Sequence, residues 1–356
     1  MKKTVSGIFL LSGFLAALCH TSCVMDMDIL GSRWKKTESF NSAAYPEFRI
    51  TGDAFRILIL ADIQLEYFSK DDDKAFGTSI VSRTLDMITA DIKTYEPDLL
   101  ILLGDNVGGA GFFNRIEAER LLTFLDSFRI PYAPVIGNHD GETFFSNKND
   151  NCEERISEFF RKGRYSLFRE GPVNLGIGNY GINIADENGI IVYSLILMDN
   201  GTDEYFSEEQ VEWYQWFVEG VSAARYGAYS PMDDKVVPNM FFFHIPLPET
   251  YSLYEELNAA NPALAAECFR ESISGNILNY GMFDKMKELK STTHLFFGHD
   301  HRNLLNSEYQ GIRFIYCLKT GICNYHDKDR IGTTLVTIQD DAGKINVTVE
   351  FKNNMF

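Results

Sequence analysis

Five short apolar runs in this 356-residue chain are each followed by side chains that can ligate a divalent cation or move a proton. Asp62 and Gln64 follow the first run, Asp105 and Asn106 the second, and Asn138 and His139 the third. His244 follows the fourth, and His299 and His301 follow the fifth, within Gly298-His299-Asp300-His301. Singly, each residue is ordinary. An Asp after a strand is more often a turn former or helix cap than a ligand, and an Asn beside a Gly usually makes a turn. A lone His at a strand end is usually a satisfied structural residue. Their distribution changes the weighing, because the chain has seven histidines and four of them stand at these ends. Of the others, His294 lies inside an apolar strand as a core residue, His20 falls in the amino-terminal segment, and His326 reads as a loop residue.

Carboxylate, amide oxygen and imidazole together suit Mn²⁺, Fe²⁺ or Zn²⁺, and the lack of a Cys-x-x-Cys pattern argues against a structural zinc site. Two Asp, one Asn and three His, with one carboxylate shared, can serve two ions. Ions held about 3.5–4 Å apart bind both the attacking and the flanking oxygens of a phosphoryl centre. The chemistry expected is hydrolysis.

Such residues meet only if the elements bring them together. The runs at 55–61, 99–103, 132–136, 240–243 and 294–297 read as buried strands. Stretches 79–95, 115–128 and 208–223 read as helices, the last opened by Ser207 with Gln210 three residues on, a capping box. That alternation predicts a mixed α/β domain over residues 54–356, in which the loops beyond the carboxyl ends of neighbouring strands converge on one crevice. Residues 180–185 and 190–198 read as a hairpin around Glu187-Asn188-Gly189. The rhythm is lost in 141–180 and again in 246–280, which read as insertions walling the site. Residues 23–53 lack periodicity and read as a tether or wrapping extension.

At the amino terminus, Lys2 and Lys3 precede an apolar run over 5–18 too short to span a bilayer comfortably, which predicts a signal peptide over residues 1–22. Cys23 follows small residues as a bacterial lipoprotein cysteine does, with a plain cut near Ser22 as the alternative. The expectation is an exported protein, periplasmic or an outer-membrane lipoprotein, touching a membrane only through lipid on Cys23. A formal net charge of −17 repels polyanions, so nucleic acid is a poor substrate. Cys317 and Cys323 are near enough in sequence to bridge in an oxidising compartment, or to stand as buried free thiols.

Read in order, Asp62-Ile63-Gln64, Gly104-Asp105-Asn106-Val107, Gly137-Asn138-His139-Asp140, His244 and Gly298-His299-Asp300-His301 resemble the five motifs of the calcineurin-like metallophosphoesterase superfamily. Phe242-Phe243-His244-Ile245-Pro246-Leu247-Pro248 and Gly298-His299-Asp300-His301-Arg302-Asn303 are most similar to its purple acid phosphatase-like branch, near the Dcr2 phosphatase group. The resemblance covers about 55–339 and implies a four-layer α/β/β/α sandwich. It implies one metal held by Asp62, Asp105 and His301 and a second by Asp105, Asn138, His244 and His299, with Asp105 bridging. By the same resemblance, His139 stands near the leaving oxygen as proton donor or charge stabiliser while a hydroxide between the ions attacks phosphorus.

Two departures bear on mechanism. Gln64 replaces the usual His of the first motif, so its site gains at best an amide oxygen and should favour Mn²⁺ over Zn²⁺. Gly108 stands where relatives carry a metal-binding Tyr or an Asp, which argues against an iron–tyrosinate centre and deprives His139 of its usual partner. Phe112, Phe113, Phe144 and Phe145 could stack on a nucleobase or simply pack. The expected substrate is a small phosphorylated compound and the expected activity a phosphatase. A phosphodiesterase or nucleotide pyrophosphatase and a non-catalytic surface binding protein are the alternatives.

Overall fold

A strand covered on both faces has no polar side, so its sequence reads as an unbroken apolar run. The computed structural model describes residues 33–66, 78–108, 112–142, 152–201, 205–275, 278–341 and 344–354. In chain order the first half holds β1 (Glu47–Arg49), β2 (Phe55–Leu60), α1 (Thr78–Tyr95), β3 (Leu99–Leu103), α2 (Phe112–Phe128), β4 (Tyr132–Val135) and α3 (Cys152–Arg161). There follow β5 (Tyr180–Ala185), β6 (Ile191–Leu197), α4 (Glu208–Tyr226), β7 (Asn239–Phe242), α5 (Glu249–Ala260) and α6 (Pro262–Cys268). The remainder is α7 (Met282–Leu289), β8 (Thr292–Phe297), β9 (Leu305–Tyr309), β10 (Ile312–Tyr316), β11 (Gly332–Asp341) and β12 (Lys344–Asn353).

These strands form two sheets, one in the order β12-β11-β2-β3-β4 and one in the order β1-β5-β6-β7-β8-β10-β9. Within the first, β2, β3 and β4 run parallel, with Ile57 opposite Leu99 and Leu100 opposite Tyr132. In the second, β6, β7, β8 and β10 are likewise parallel. Side-chain alternation along β7 shows how the layers stack. Met240 and Phe242 join the core that holds Ile57 and Leu100, whereas Phe241 and Phe243 join Trp213 and Phe217 of α4 and Met286 of α7. Leu85 and Ile88 of α1 and Leu121 and Leu125 of α2 pack with the smaller sheet. The result is the four-layer α/β/β/α sandwich, with phenylalanines such as Phe242 and Phe296 stacked at its centre, ring centroids 4.9 Å apart. Each such side chain is worth about 1.5–3 kcal/mol when fully buried.

Helix α4 begins where its capping box places it. Ser207 Oγ accepts from the Gln210 backbone N–H at 3.2 Å, and Gln210 Oε1 accepts from the Ser207 N–H at 2.8 Å. It runs three residues past its expected end and stops at Gly227, whose φ of 79° is left-handed. Ser207→Ala should therefore lower stability by about 1 kcal/mol in denaturant unfolding. An unchanged midpoint and slope would mean that the packed face of α4 alone sets its start.

Two stretches differ from their sequence reading. Residues 246–280 are largely helical, and their apolar period was invisible because α5 buries only Thr250 and Leu253, and α6 only Ala265. The 141–180 stretch contains α3, which packs through Ile156, Phe159 and Phe160. The amino-terminal extension wraps the larger sheet: β1 pairs in parallel with β5, and Phe40 and Tyr45 pack edge-on against Phe217 of α4. The signal peptide expected over residues 1–22 and Cys23 lie outside the described residues. No helix among the described residues is long and apolar enough to cross a membrane. Cys317 and Cys323 are both free and buried.

Candidate metal site

The parallel strands of both sheets end on the same side, and the chain turns sharply there. Asp62 (φ 50°), Gln64 (φ 41°), Asp105 (φ 48°) and His299 (φ 77°) all adopt left-handed backbone conformations that cost a non-glycine residue about 1–3 kcal/mol each. Such strain gathers where geometry is held for function. The glycines beside these residues have a steric reason to be glycine. A Cβ on Gly104 would stand 2.3 Å from His244 Nδ1, and one on Gly298 would stand 2.3 Å from Asp62 Oδ2.

Two sets of ligand atoms come within 4.8 Å of one another: Asp62, Asp105 and His301 in one, and Asp105, His244 and His299 in the other. Asp105 belongs to both. Backbone carbonyls orient the imidazoles, since His244 Nδ1 lies 3.0 Å from Leu103 O and His301 Nδ1 lies 2.9 Å from Tyr325 O. With Nδ1–H donating, each neutral ring turns the lone pair of Nε2 inward. His244 Nε2 is 3.3 Å from Asp105 Oδ2, and His301 Nε2 is 3.6 Å from Asp62 Oδ1.

Among the buried atoms here without a hydrogen-bond partner in the described residues are Asn138 Oδ1, His244 Nε2 and His299 Nδ1. Leaving a buried polar atom unpaired costs about 1–3 kcal/mol. Asp105, His244 and His299 bring ligand atoms within 4.8 Å of one another, and acceptors gathered in this way fit a shared cation. Left to protons alone, burial pulls His244 down, but Asp105 and Asp62 outweigh it and lift the ring to about 10. Burial pushes Asp62 up, to about 6, against the pull of His244 and Lys319. Each group is thus poised to take up positive charge, and the oxygen and nitrogen donor set fits a divalent ion.

Asn138 and His139 reach the site through the shared carboxylate, since the His139 N–H donates to Asp105 Oδ1 at 2.9 Å. That loop is braced by Asp140. Its carboxylate accepts from the N–H groups of Asn106 (2.8 Å), Val107 (2.9 Å) and Gly137 (2.9 Å), and from Asn106 Nδ2 (3.0 Å). Asp300 ties the fifth motif to the 246–280 excursion by accepting from Ser274 N–H at 3.0 Å, and to β10 by accepting from the Tyr316 hydroxyl.

Gln64 has both ends of its amide engaged. Its Oε1 accepts from Lys319 Nζ at 2.9 Å, and its Nε2 donates to Asp105 Oδ2 at 3.0 Å. The amide oxygen expected as a ligand is engaged by an ammonium, and Lys319 was not singled out from the sequence. Its signal was available, since Lys319 closes the apolar run 314–318 just as the other site residues close theirs. Glu142 was also missed. It pairs with His139 Nδ1 at 2.9 Å, so the histidine expected to lack its usual partner has another three residues on. Gly108 has a steric cause, because a Cβ there would lie 2.3 Å from Glu66 Oε1. The side chains of Phe112, Phe113, Phe144 and Phe145 lie outside those described.

Comparison with known proteins bears on the whole arrangement. The family model for calcineurin-like phosphoesterases matches residues 55–303. The Arabidopsis thaliana protein named Probable inactive purple acid phosphatase 14 is 25% identical over 278 residues, 72% of this chain and 64% of its own length. The chain thus spans just under two thirds of that relative. Phosphatase DCR2 of Saccharomyces cerevisiae is 26% identical over 221 residues, 58% of this chain and 36% of its own. The crystal structure of a dimetal phosphatase from Danio rerio aligns with a TM-score of 0.51 at 13% identity, covering 83% of this chain and 98% of that one, a likeness of fold. With the family model matched over most of its length, on relatives of the purple acid phosphatase-like and Dcr2 kind, the chain belongs to the calcineurin-like phosphoesterase family.

Proposed function

We propose that this protein hydrolyses a phosphate ester at a two-metal centre shared through Asp105. The observation that carries the reading is the set of buried, unpartnered acceptors, Asn138 Oδ1, His244 Nε2 and His299 Nδ1, beside a carboxylate common to both ligand groups. One ion would be held by Asp62, Asp105 and His301, the other by Asp105, Asn138, His244 and His299. Mn²⁺ suits this oxygen-rich set best, with Fe²⁺ or Zn²⁺ as alternatives. Such ions supply Lewis-acid charge to phosphoryl oxygens and lower the pKa of water.

The protein's own side chains do the remainder. Asp140 and Asp105 fix the loop that carries His139, and Glu142 holds the Nδ1 edge of that ring. A ring held at Nδ1 presents Nε2 as the proton donor for a leaving oxygen. A second reading, ion binding without turnover, is favoured by the relative named inactive and by the engagement of Gln64 with Lys319.

Hydrolysis of p-nitrophenyl phosphate and bis-p-nitrophenyl phosphate separates the readings. Chelator-stripped protein should be inert, regain turnover with Mn²⁺ and prefer the monoester. Preference for the diester would make it a phosphodiesterase. Bound Mn²⁺ with neither ester hydrolysed would favour the second reading.

A further inference from the structure

Lys319 belongs to neither ligand group, yet it is built into the site. Its backbone pairs with Ala61, the Thr320 N–H donates to Ala61 O at 2.7 Å, and the Gly321 N–H donates to Asp62 O at 3.3 Å. A Cβ on Gly321 would stand 1.7 Å from Ile63 O, so this stretch lies directly against the loop carrying Asp62 and Gln64. The side chain is 1% exposed, and its Nζ donates to Asp62 O at 2.8 Å and to Gln64 Oε1 at 2.9 Å.

An ammonium can only donate, so the amide edge facing it must be the oxygen. The Gln64 NH₂ is thereby turned to Asp105. Two effects follow for the Asp62–Asp105–His301 group: it receives no fourth ligand from residue 64, and an ammonium donating to Asp62 O stands beside it. A dication entering this group meets a like charge.

We propose that Lys319 is a positioning residue that makes the two metal groups unequal, holding Gln64 out of the Asp62–Asp105–His301 group so that this group takes its ion more weakly. The inference rests on the metal-dependent reading above. Calorimetric titration of chelator-stripped protein with Mn²⁺ tests both. Wild type should show two binding events separated by about tenfold or more, on the scale at which outer contacts tune metal affinity. Lys319→Met should tighten the weaker event by about tenfold to a hundredfold and leave the other unmoved, whereas Lys319→Arg should keep it weak. Two equal events in wild type, or a weaker event loosened by Lys319→Met, overturn the inference. No binding by wild type removes the metal-dependent reading and the inference with it. Should Lys319→Met fail to fold, wild-type crystals soaked in Mn²⁺ decide: Gln64 Oε1 should remain on Lys319 Nζ, and its appearance in an ion's coordination shell would overturn the inference.

Discussion

Asp105→Asn should lose bound metal and turnover together, and by more than any other single ligand change, because Asp105 is the residue common to both groups. Disturbing an outer contact to a ligand typically costs about tenfold to a hundredfold in metal affinity or activity, so removal of the shared ligand's charge should exceed that range. The substitution is nearly isosteric and keeps an acceptor for the His139 N–H, which lies 2.9 Å from Oδ1. On the other edge, the new amide faces Gln64 Nε2, which now donates to Oδ2 at 3.0 Å. Burial acts to raise the Asp105 carboxyl, yet His244 and His139 hold it well below the usual carboxylate range. Comparing thermal unfolding with and without Mn²⁺ separates charge from shape. The metal-free variant should unfold near wild type, and the stabilisation that Mn²⁺ gives wild type should vanish. A variant that keeps two bound ions and normal turnover would show that Asp105 is not shared between ions.

Much of this site could be read from the chain because its physics is local. A ligand that must stand just beyond a buried parallel strand leaves an apolar run followed by a residue of restricted type, as at Asp62, Asp105, His244 and His299. The tight glycines Gly104 and Gly298 add to the pattern because no Cβ fits there. What could not be read depends on residues remote in the chain. The partner of the Gln64 amide oxygen, Lys319, stands 255 residues on. Helices α5 and α6 lacked an apolar stripe because they lie on the surface and bury few side chains. The edge strand β1 is three residues long, and its hydrogen-bonding partner β5 lies more than 130 residues later.

His139→Ala should keep its metal and lose turnover, by about a hundredfold to ten-thousandfold, the range typical of removing a general acid. The expectation comes from placement. His139 is absent from both ligand groups, its backbone rather than its ring contacts Asp105, and its ring is partly exposed with Nδ1 turned to Glu142 at 2.9 Å. Burial works against protonation of that ring, but Asp105 and Glu142 outweigh it and raise its pKa above the usual histidine value. A histidine so placed is protonated over a wider range, as an acid must be. Glu142→Gln should produce a smaller loss and draw the alkaline fall of kcat to lower pH, because the raised pKa drops when the carboxylate is removed. For the alanine variant, rates across phenyl phosphates of graded leaving-group pKa distinguish proton donation from simple charge stabilisation. The deficit should shrink towards nitrophenol and grow towards alkyl alcohols. An equal deficit across the series, with metal content intact, would leave His139 a stabiliser of charge and place the proton donor elsewhere.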